Sequence, residues 1–349
     1  MSHASEDQLL LDLLTHSPEH TLWLADENVL HLVHRAPDSV TLLTNRWDIQ
    51  ARAQQLPQRH FSDWDLTALS EPARIQRVVY QVSKEKAVVA HLINEIADRL
   101  APGTEILMLG RKNEGIKTLA TLAAARLQGG KLKKTGNLYV ATFAVAQAGS
   151  PPVDDMDYAR VRPILTYQGQ TLRSKPGTFG WQKLDEGSLL LLATLAEHRD
   201  TIQPRRILDL GCGYGLLTAG AQALLQEPGI EWLATDNCAA ALACTTANCD
   251  PTTQVFAGDR GLDTNGSPLA APVDLILCNP PFHQGFDATG DLTDKFLQAT
   301  HRWLTRDGRA IWVVNRFVGV EKRLAGRFRQ CQTLADNGSF RVLLLSERV

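Results

Sequence analysis

Two short stretches of this 349-residue chain combine residue types with chemical use. The first is Asp274 to Phe286, DLILCNPPFHQGF. Its apolar run Leu275 to Cys278 reads as a buried parallel strand, which delivers Asn279, Pro280, Pro281 and Phe282 to the strand's carboxyl end, where open α/β sheets bind ligands. Two prolines remove two backbone donors and stiffen the exit, so its carbonyls stand ready to accept beside the Asn279 side chain. Phe282 supplies a flat apolar face for stacking on a planar ring. Acceptors beside a stacking face suit a planar exocyclic amine. Taken alone, the same residues also describe an ordinary strand-to-loop turn with a buried phenylalanine.

The second stretch is Leu208 to Leu216, LDLGCGYGL. Gly211, Gly213 and Gly215 permit a sharp strand-to-helix turn and bring backbone N–H groups near a ligand. A dinucleotide fingerprint places its third glycine one residue later, where this chain has Leu216. The Asp209 carboxylate before the first glycine repels phosphate and attracts an ammonium group. That combination is the signature of an S-adenosylmethionine site. Asp236 ends the next expected strand, where a carboxylate can accept both ribose hydroxyls. Asp259, in FAGDR, follows the third strand and can meet an adenine amino group. Either aspartate is also compatible with a helix N-cap.

The elements that position these residues alternate. From Pro176-Gly177 onward, helices are expected at Gly187–His198, Gly215–Gln226, Ala239–Asn248, Asp291–Leu304 and Val320–Phe328. Between them, strands are expected at Arg206–Leu210, Glu231–Thr235, Val255–Ala257, the opening motif, Ala310–Val314 and Phe340–Leu345. The N-terminal part shows the same alternation, with strands at Thr21–Leu24, Ser39–Leu43, Arg77–Val82, Glu105–Leu109 and Leu138–Ala146. Helices there are expected at Glu6–Thr15, Lys86–Leu100 and Ile116–Leu127. This predicts an α/β fold of two doubly wound parallel sheets in tandem. The expected domains are 1–147 and 176–349, joined by a Pro- and Asp-bearing linker over 148–175.

The two halves look like copies. DGRAIWVVNRFVGVEKRL, Asp307 to Leu324, aligns without a gap on PGTEILMLGRKNEGIKTL, Pro102 to Leu119, and NGSFRVLLL follows in the same order as TGNLYVATF. The first-half counterpart of the opening motif is VVYQVSKEK, with Gln81, Val82, Ser83 and Lys84 where the second half has Asn-Pro-Pro-Phe. The first half therefore reads as a degenerate copy that keeps the fold and lacks the site.

Lys and Arg total 36 against 38 Asp and Glu, so bulk charge announces no polyanion partner. Six cysteines show no C-x-x-C pair, which predicts reduced thiols and no metal site. The polar start and the lack of a long apolar run predict a cytoplasmic protein.

LDLGCGYG, NPPFHQG, the preceding KPGTFGWQKLDEGSLLLL and the degenerate N-terminal copy together resemble the class I methyltransferases that methylate the N2 amine of guanine in ribosomal RNA. The small-subunit (16S) branch of that family is the nearer, the large-subunit branch the next. The resemblance covers nearly the whole chain. It implies S-adenosyl-L-methionine as cofactor, with Asp209, Gly211 and Gly213 around its methionine end and Asp236 at its ribose. Gly187 and Ser188 would close the cofactor site. Asn279 and Pro280 would hold the target amine while Phe282 stacks on guanine; His283 is left out of the catalytic set. Asp259 matches a position where the family varies. Ribosomal RNA, free or within a subunit or assembly intermediate, is the implied partner.

Seven basic residues stand against Glu114 between Arg111 and Lys134, and eight against Asp307 and Glu321 between Arg302 and Arg329. These equivalent regions of the repeats read either as RNA-binding faces or as solvated helix surfaces. Two other functions fit parts of the pattern. One is methylation of a protein glutamine or of adenine N6, whose families usually carry Tyr in place of Phe282. The other is an RNA-binding ribosome assembly factor with a vestigial cofactor fold.

Overall fold

The computed structural model describes residues 3–16, 18–147, 149–259, 271–281 and 286–349. They form two compact units, Met1–Arg160 and Val161–Val349. The first unit runs α1 (His3–Thr15), β1 (Thr21–Leu24), β2 (Thr41–Thr44), α2 (Trp47–Arg52), β3 (Arg59–Phe61), β4 (Arg77–Gln81), α3 (Lys86–Arg99) and β5 (Glu105–Arg111). It closes with α4 (Ile116–Ala124), β6 (Gln128–Thr135) and β7 (Leu138–Ala144).

The second unit begins with the hairpin β8 (Arg162–Tyr167) and β9 (Gln170–Ser174), inside the stretch expected to be linker. It continues with α5 (Glu186–His198), β10 (Arg206–Leu210), α6 (Leu216–Leu224), β11 (Glu231–Asp236), α7 (Ala239–Asn248) and β12 (Gln254–Ala257). β13 (Val273–Cys278), α8 (Phe286–Trp303), β14 (Leu304–Asn315), β15 (Phe328–Asp336) and β16 (Phe340–Arg348) complete it.

Both large sheets have one topology, β3-β2-β1-β4-β5-β7-β6 and β12-β11-β10-β13-β14-β16-β15. Duplication therefore holds at the level of strand order. The sheets are mixed, because β7 and β16 run antiparallel to both of their neighbours. Each reversed strand follows a tight turn at a glycine with positive φ, Gly136 at +61° and Gly338 at +88°. Two elements differ from expectation for that reason. Gln128–Thr135 is an edge strand, and Val320–Phe328 is a single 3₁₀ turn at Val320–Arg323 followed by β15. Val320, Leu324 and Phe328 are all buried at helical spacing, but Gly326 at φ +76° breaks the turn between them.

Cores lie on both faces of the second sheet. Ile207 of β10 packs with Leu191, Leu192 and Leu195 of α5, while Leu208 and Leu210 face Phe296 and Leu297 of α8. In the first unit the site positions are filled. Aligning Gln81 with Asn279 puts Val78 on Ile276, and the β1–β4 and β10–β13 registers then put the buried Trp23 on Asp209. No glycine precedes Gly103, so β1 is followed by no counterpart of the glycine turn after β10. Among the described residues no helix is long and apolar enough to cross a membrane.

Candidate functional site

Strand register assembles the site. Leu210 pairs with Thr235 of β11, and Asp209 pairs with Leu277 of β13, both parallel. Extending these registers brings Asp236, Gly211 and Asn279 to one level at the carboxyl ends of three adjacent strands. With ~4.8 Å between strands the row spans about 10 Å.

The glycine turn between β10 and α6 is tied by its backbone N–H groups to the end of β11. Gly211 and Cys212 donate their N–H groups to the Thr235 carbonyl at 2.9 and 3.0 Å, and Gly213 donates to Asp236 Oδ2 at 2.9 Å. The expected N–H cradle is thus engaged internally at these three positions. The glycines serve other needs. All three have positive φ, and a Cβ at Gly211 would lie 3.2 Å from the Phe296 ring. At Gly215 it would lie 3.1 Å from Thr245 Cα and 3.3 Å from Cys249 Sγ, so this glycine lets α6 start against α7. Only at Gly213, of the three, does a Cβ meet nothing within 4 Å. That position faces open space.

Asp236 sits across the turn with both oxygens in use, Oδ2 on Gly213 N–H and Oδ1 on Cys238 N–H, each at 2.9 Å. A carboxylate oxygen can accept more than one hydrogen bond, so these oxygens suit a hydroxyl as well. Asp209 lies beneath the turn and is 1% exposed. Its Oδ2 accepts from Thr218 N–H at 3.1 Å and Thr218 Oγ1–H at 2.6 Å, bracing the first turn of α6. Its buried Oδ1 meets no hydrogen-bond partner among the described residues. An unmatched acceptor, an open Gly213 and a part-exposed Asp236 fit a ligand with a cationic end and a ribose, as S-adenosylmethionine has.

Burial pushes the Asp209 carboxyl up to about 7, with the Asp236 charge adding to the rise and the Thr218 bonds opposing it. In the free protein the group's stabilising contribution is therefore complete below its ordinary value of 3.8 and is lost as pH rises through about 7. A cation at Oδ1 favours the ionised form. Cofactor binding near pH 7 is expected to release up to roughly half a proton. Calorimetry in buffers of different ionisation enthalpy measures it, and an equal release from the Asp209→Asn variant would remove Asp209 from ligand contact.

Asn279 leaves β13 half-buried, followed by a buried Pro280 and an exposed Pro281. Its Nδ2 donates to Asp185 Oδ2 at 2.7 Å and to Ser188 Oγ at 3.0 Å. Asp185 is the N-cap of α5, and the same Oδ2 accepts from Ser188 N–H at 2.8 Å. Gly187 makes room for this, since a Cβ there would lie 3.2 Å from Asp185 Oδ2 and 3.2 Å from the Phe340 ring. The expected cofactor pair Gly187 and Ser188 is thereby placed behind Asn279. Asp185 was not singled out from the sequence, although LDEGS carries the signal of an N-cap aspartate with a hydroxyl three residues on.

Asp259 is buried just past β12, and its neighbour Gly258 donates to the Asp236 carbonyl at 3.0 Å. Phe282 and His283 lie outside the described residues. The six cysteines are free thiols, and burial pushes Cys212 and Cys278 far above the ordinary thiol range, which makes them inert as nucleophiles.

The family model "Methyltransferase small domain" matches residues 169–344, and "Methyltransferase small domain N-terminal" matches residues 11–144. Ribosomal RNA small subunit methyltransferase C of Shewanella loihica is 31% identical over 271 residues, covering 76% of this chain and 75% of that protein. Its counterpart in Pseudomonas entomophila is 32% identical over 266 residues, 74% and 75% of the two chains. Among solved structures, the T. thermophilus 16S rRNA N2 G1207 methyltransferase in complex with AdoMet and guanosine superposes with a TM-score of 0.78 at 24% identity. The match covers 98% of this chain and 91% of that one, and it shows a shared fold. Both halves of the tandem architecture are matched, and relatives above 30% identity align over three quarters of the chain: it belongs to the ribosomal RNA small subunit methyltransferase C family.

Proposed function

We propose that this enzyme methylates the exocyclic N2 amine of a guanine in 16S ribosomal RNA, using S-adenosylmethionine. The observation that carries the reading is the Asn279 amide, held by its nitrogen at the end of β13 so that Oδ1 is left to accept, level with the glycine turn. An exocyclic amine is a poor nucleophile because its lone pair is delocalised into the ring. Accepting its two N–H bonds at Asn279 Oδ1 and the Pro280 carbonyl favours a pyramidal nitrogen with the lone pair directed outward. Bound S-adenosylmethionine supplies a sulfonium methyl; transfer forms the N2–C bond, breaks the C–S bond, leaves S-adenosylhomocysteine and releases one N2 proton. Holding nucleophile and methyl in line contributes about 7–11 kcal/mol, so no strong base is needed among the side chains.

The RNA target must present an unpaired, splayed-out guanine. Local features support an RNA surface. Of the basic residues between Arg111 and Lys134, Arg111 pairs with Glu6 and Arg126 with Asp98, while Lys112, Lys117, Lys131, Lys133 and Lys134 are exposed. Three of these lysines lie on edge strand β6, where they also discourage strand-to-strand aggregation. In the second unit Phe317 is 91% exposed just after β14, the parallel neighbour of β13, and offers a base-stacking face. We read the substrate in the cell as the small subunit or an assembly intermediate in the cytoplasm.

The test is to map N2-methylguanosine in 16S RNA from cells lacking the protein and to restore it in vitro. One guanine should lose its methyl, with the position equivalent to G1207 the first to inspect. Glutamates at Lys131, Lys133 and Lys134 should weaken RNA binding and flatten its salt slope by up to ~3 units. An unmodified 16S map with a missing methyl in the large subunit would overturn the assignment.

A further inference from the structure

The hydrogen bonds around Asn279 carry more than the identity of an acceptor. A primary amide has two chemically opposite ends, and only its oxygen can accept from an amine. Which end faces the substrate is decided at the other end. Asp185 Oδ2 already acts as an acceptor, taking the Ser188 backbone N–H, so the amide end 2.7 Å from it must be the NH2 group. Ser188 Oγ, 3.0 Å from the same nitrogen, takes the second hydrogen. Both Nδ2 protons are thus committed, and Oδ1 has one direction left. Rotating the amide by half a turn would set Oδ1 against the Asp185 carboxylate, lone pair to lone pair.

We propose that Asp185 and Ser188 form a polarity lock on Asn279, which makes the site selective for an amino group and sets kcat through Asn279. Resting on the proposed function, this reading adds what chooses the N2 edge of guanine over its O6 edge. With Oδ1 fixed outward beside the Pro280 carbonyl, the site presents two acceptors, and a carbonyl oxygen placed there finds no donor. Because Asp185 and Ser188 touch Asn279, they are positioning residues.

Asp185 also caps α5, so the test must separate capping from locking. Asp185→Ser keeps an N-cap oxygen but is too short to reach Asn279. Asp185→Asn places its own Oδ1 where Asp185 Oδ2 now accepts from both Ser188 N–H and Asn279. Ser188→Ala removes one acceptor and leaves the cap intact. Steady-state methylation of 16S RNA, cofactor affinity by calorimetry and melting temperature are measured for each.

Asp185→Ser is expected to lower kcat about 10²-fold, the scale of a misoriented reacting group, with cofactor Kd within about twofold of the parent. Asp185→Asn should regain most of that loss, and Ser188→Ala should lose about tenfold. Unchanged kcat in both Asp185→Ser and Ser188→Ala would overturn the lock. So would a cofactor Kd that rises in step with the loss, which would make Asp185 a cofactor ligand. A parent enzyme that leaves 16S guanines unmodified would instead overturn the functional reading, with the lock variants then showing no activity difference to interpret.

Discussion

Asn279→Ala is expected to lower kcat on ribosomal RNA by at least ~10³-fold while cofactor Kd stays within about twofold, the scale seen when a preorganised polar contact to a reacting group is removed. Among the described residues its side chain bonds to the start of α5, and none of these hydrogen bonds goes to the glycine turn or to Asp236. In the proposed site, losing it removes one of two acceptors for the amine and takes the amide donor from Ser188 Oγ and Asp185 Oδ2, the latter keeping the Ser188 N–H. That second effect costs about 1–3 kcal/mol of stability if water fails to replace the amide. Asn279→Asp sharpens the test. Its carboxylate would take the place of a nitrogen 2.7 Å from Asp185, where two like charges cannot both persist, so one oxygen must hold a proton. Any residual activity of this variant should therefore grow as pH falls, opposite to a simple loss of acceptor. Single-turnover methylation and calorimetry at two pH values measure both; cofactor affinity falling as far as kcat would reassign Asn279 to the cofactor.

The part of this site legible in the sequence is the part written in contiguous residues. Leu275 to Cys278 is apolar throughout because β13 is covered on both faces, and the glycine turn after β10 is marked by spacing alone. Duplication was readable because the strands that carry it, β5 with β7 and β14 with β16, keep their glycine turns in register with the sequence match. What escaped was of two kinds. The edge strand β6 is QGGKLKKT, mostly exposed, so no apolar alternation marks it. The Asp185 contact joins positions 94 residues apart, and nothing in local spacing separates an N-cap aspartate from one that also holds a distant amide. Gly215 was legible but for another reason: its place in the motif suggests ligand contact, whereas the tight approach of Thr245 and Cys249 shows that helix packing alone demands a glycine there.

Asp236→Ala is expected to do the reverse of Asn279→Ala, raising cofactor Kd by about 10² or more while kcat at saturating cofactor changes far less, since each charge-assisted bond is worth roughly twice a neutral one. Two losses coincide. In the proposed site the ribose hydroxyls lose their acceptor, and the Gly213 and Cys238 N–H groups, each now 2.9 Å from a carboxylate oxygen, lose the bridge that ties the glycine turn to the end of β11. Asp236→Asn should not rescue. Both carboxylate oxygens accept from backbone donors, so an amide in their place must turn its own NH2 toward one of them and repel it. This separates Asp236 from Asp185, where the conservative amide has one oxygen to place and one oxygen suffices. Thermal shift gives an independent reading. Cofactor at a thousand times its Kd stabilises the parent by ~4 kcal/mol, and a hundredfold weaker variant at that concentration gains only ~1.4 kcal/mol. A variant that melts lower but keeps the parent's full cofactor shift would show that Asp236 only braces the turn, and the ribose would then have to be held by residues other than Asp236.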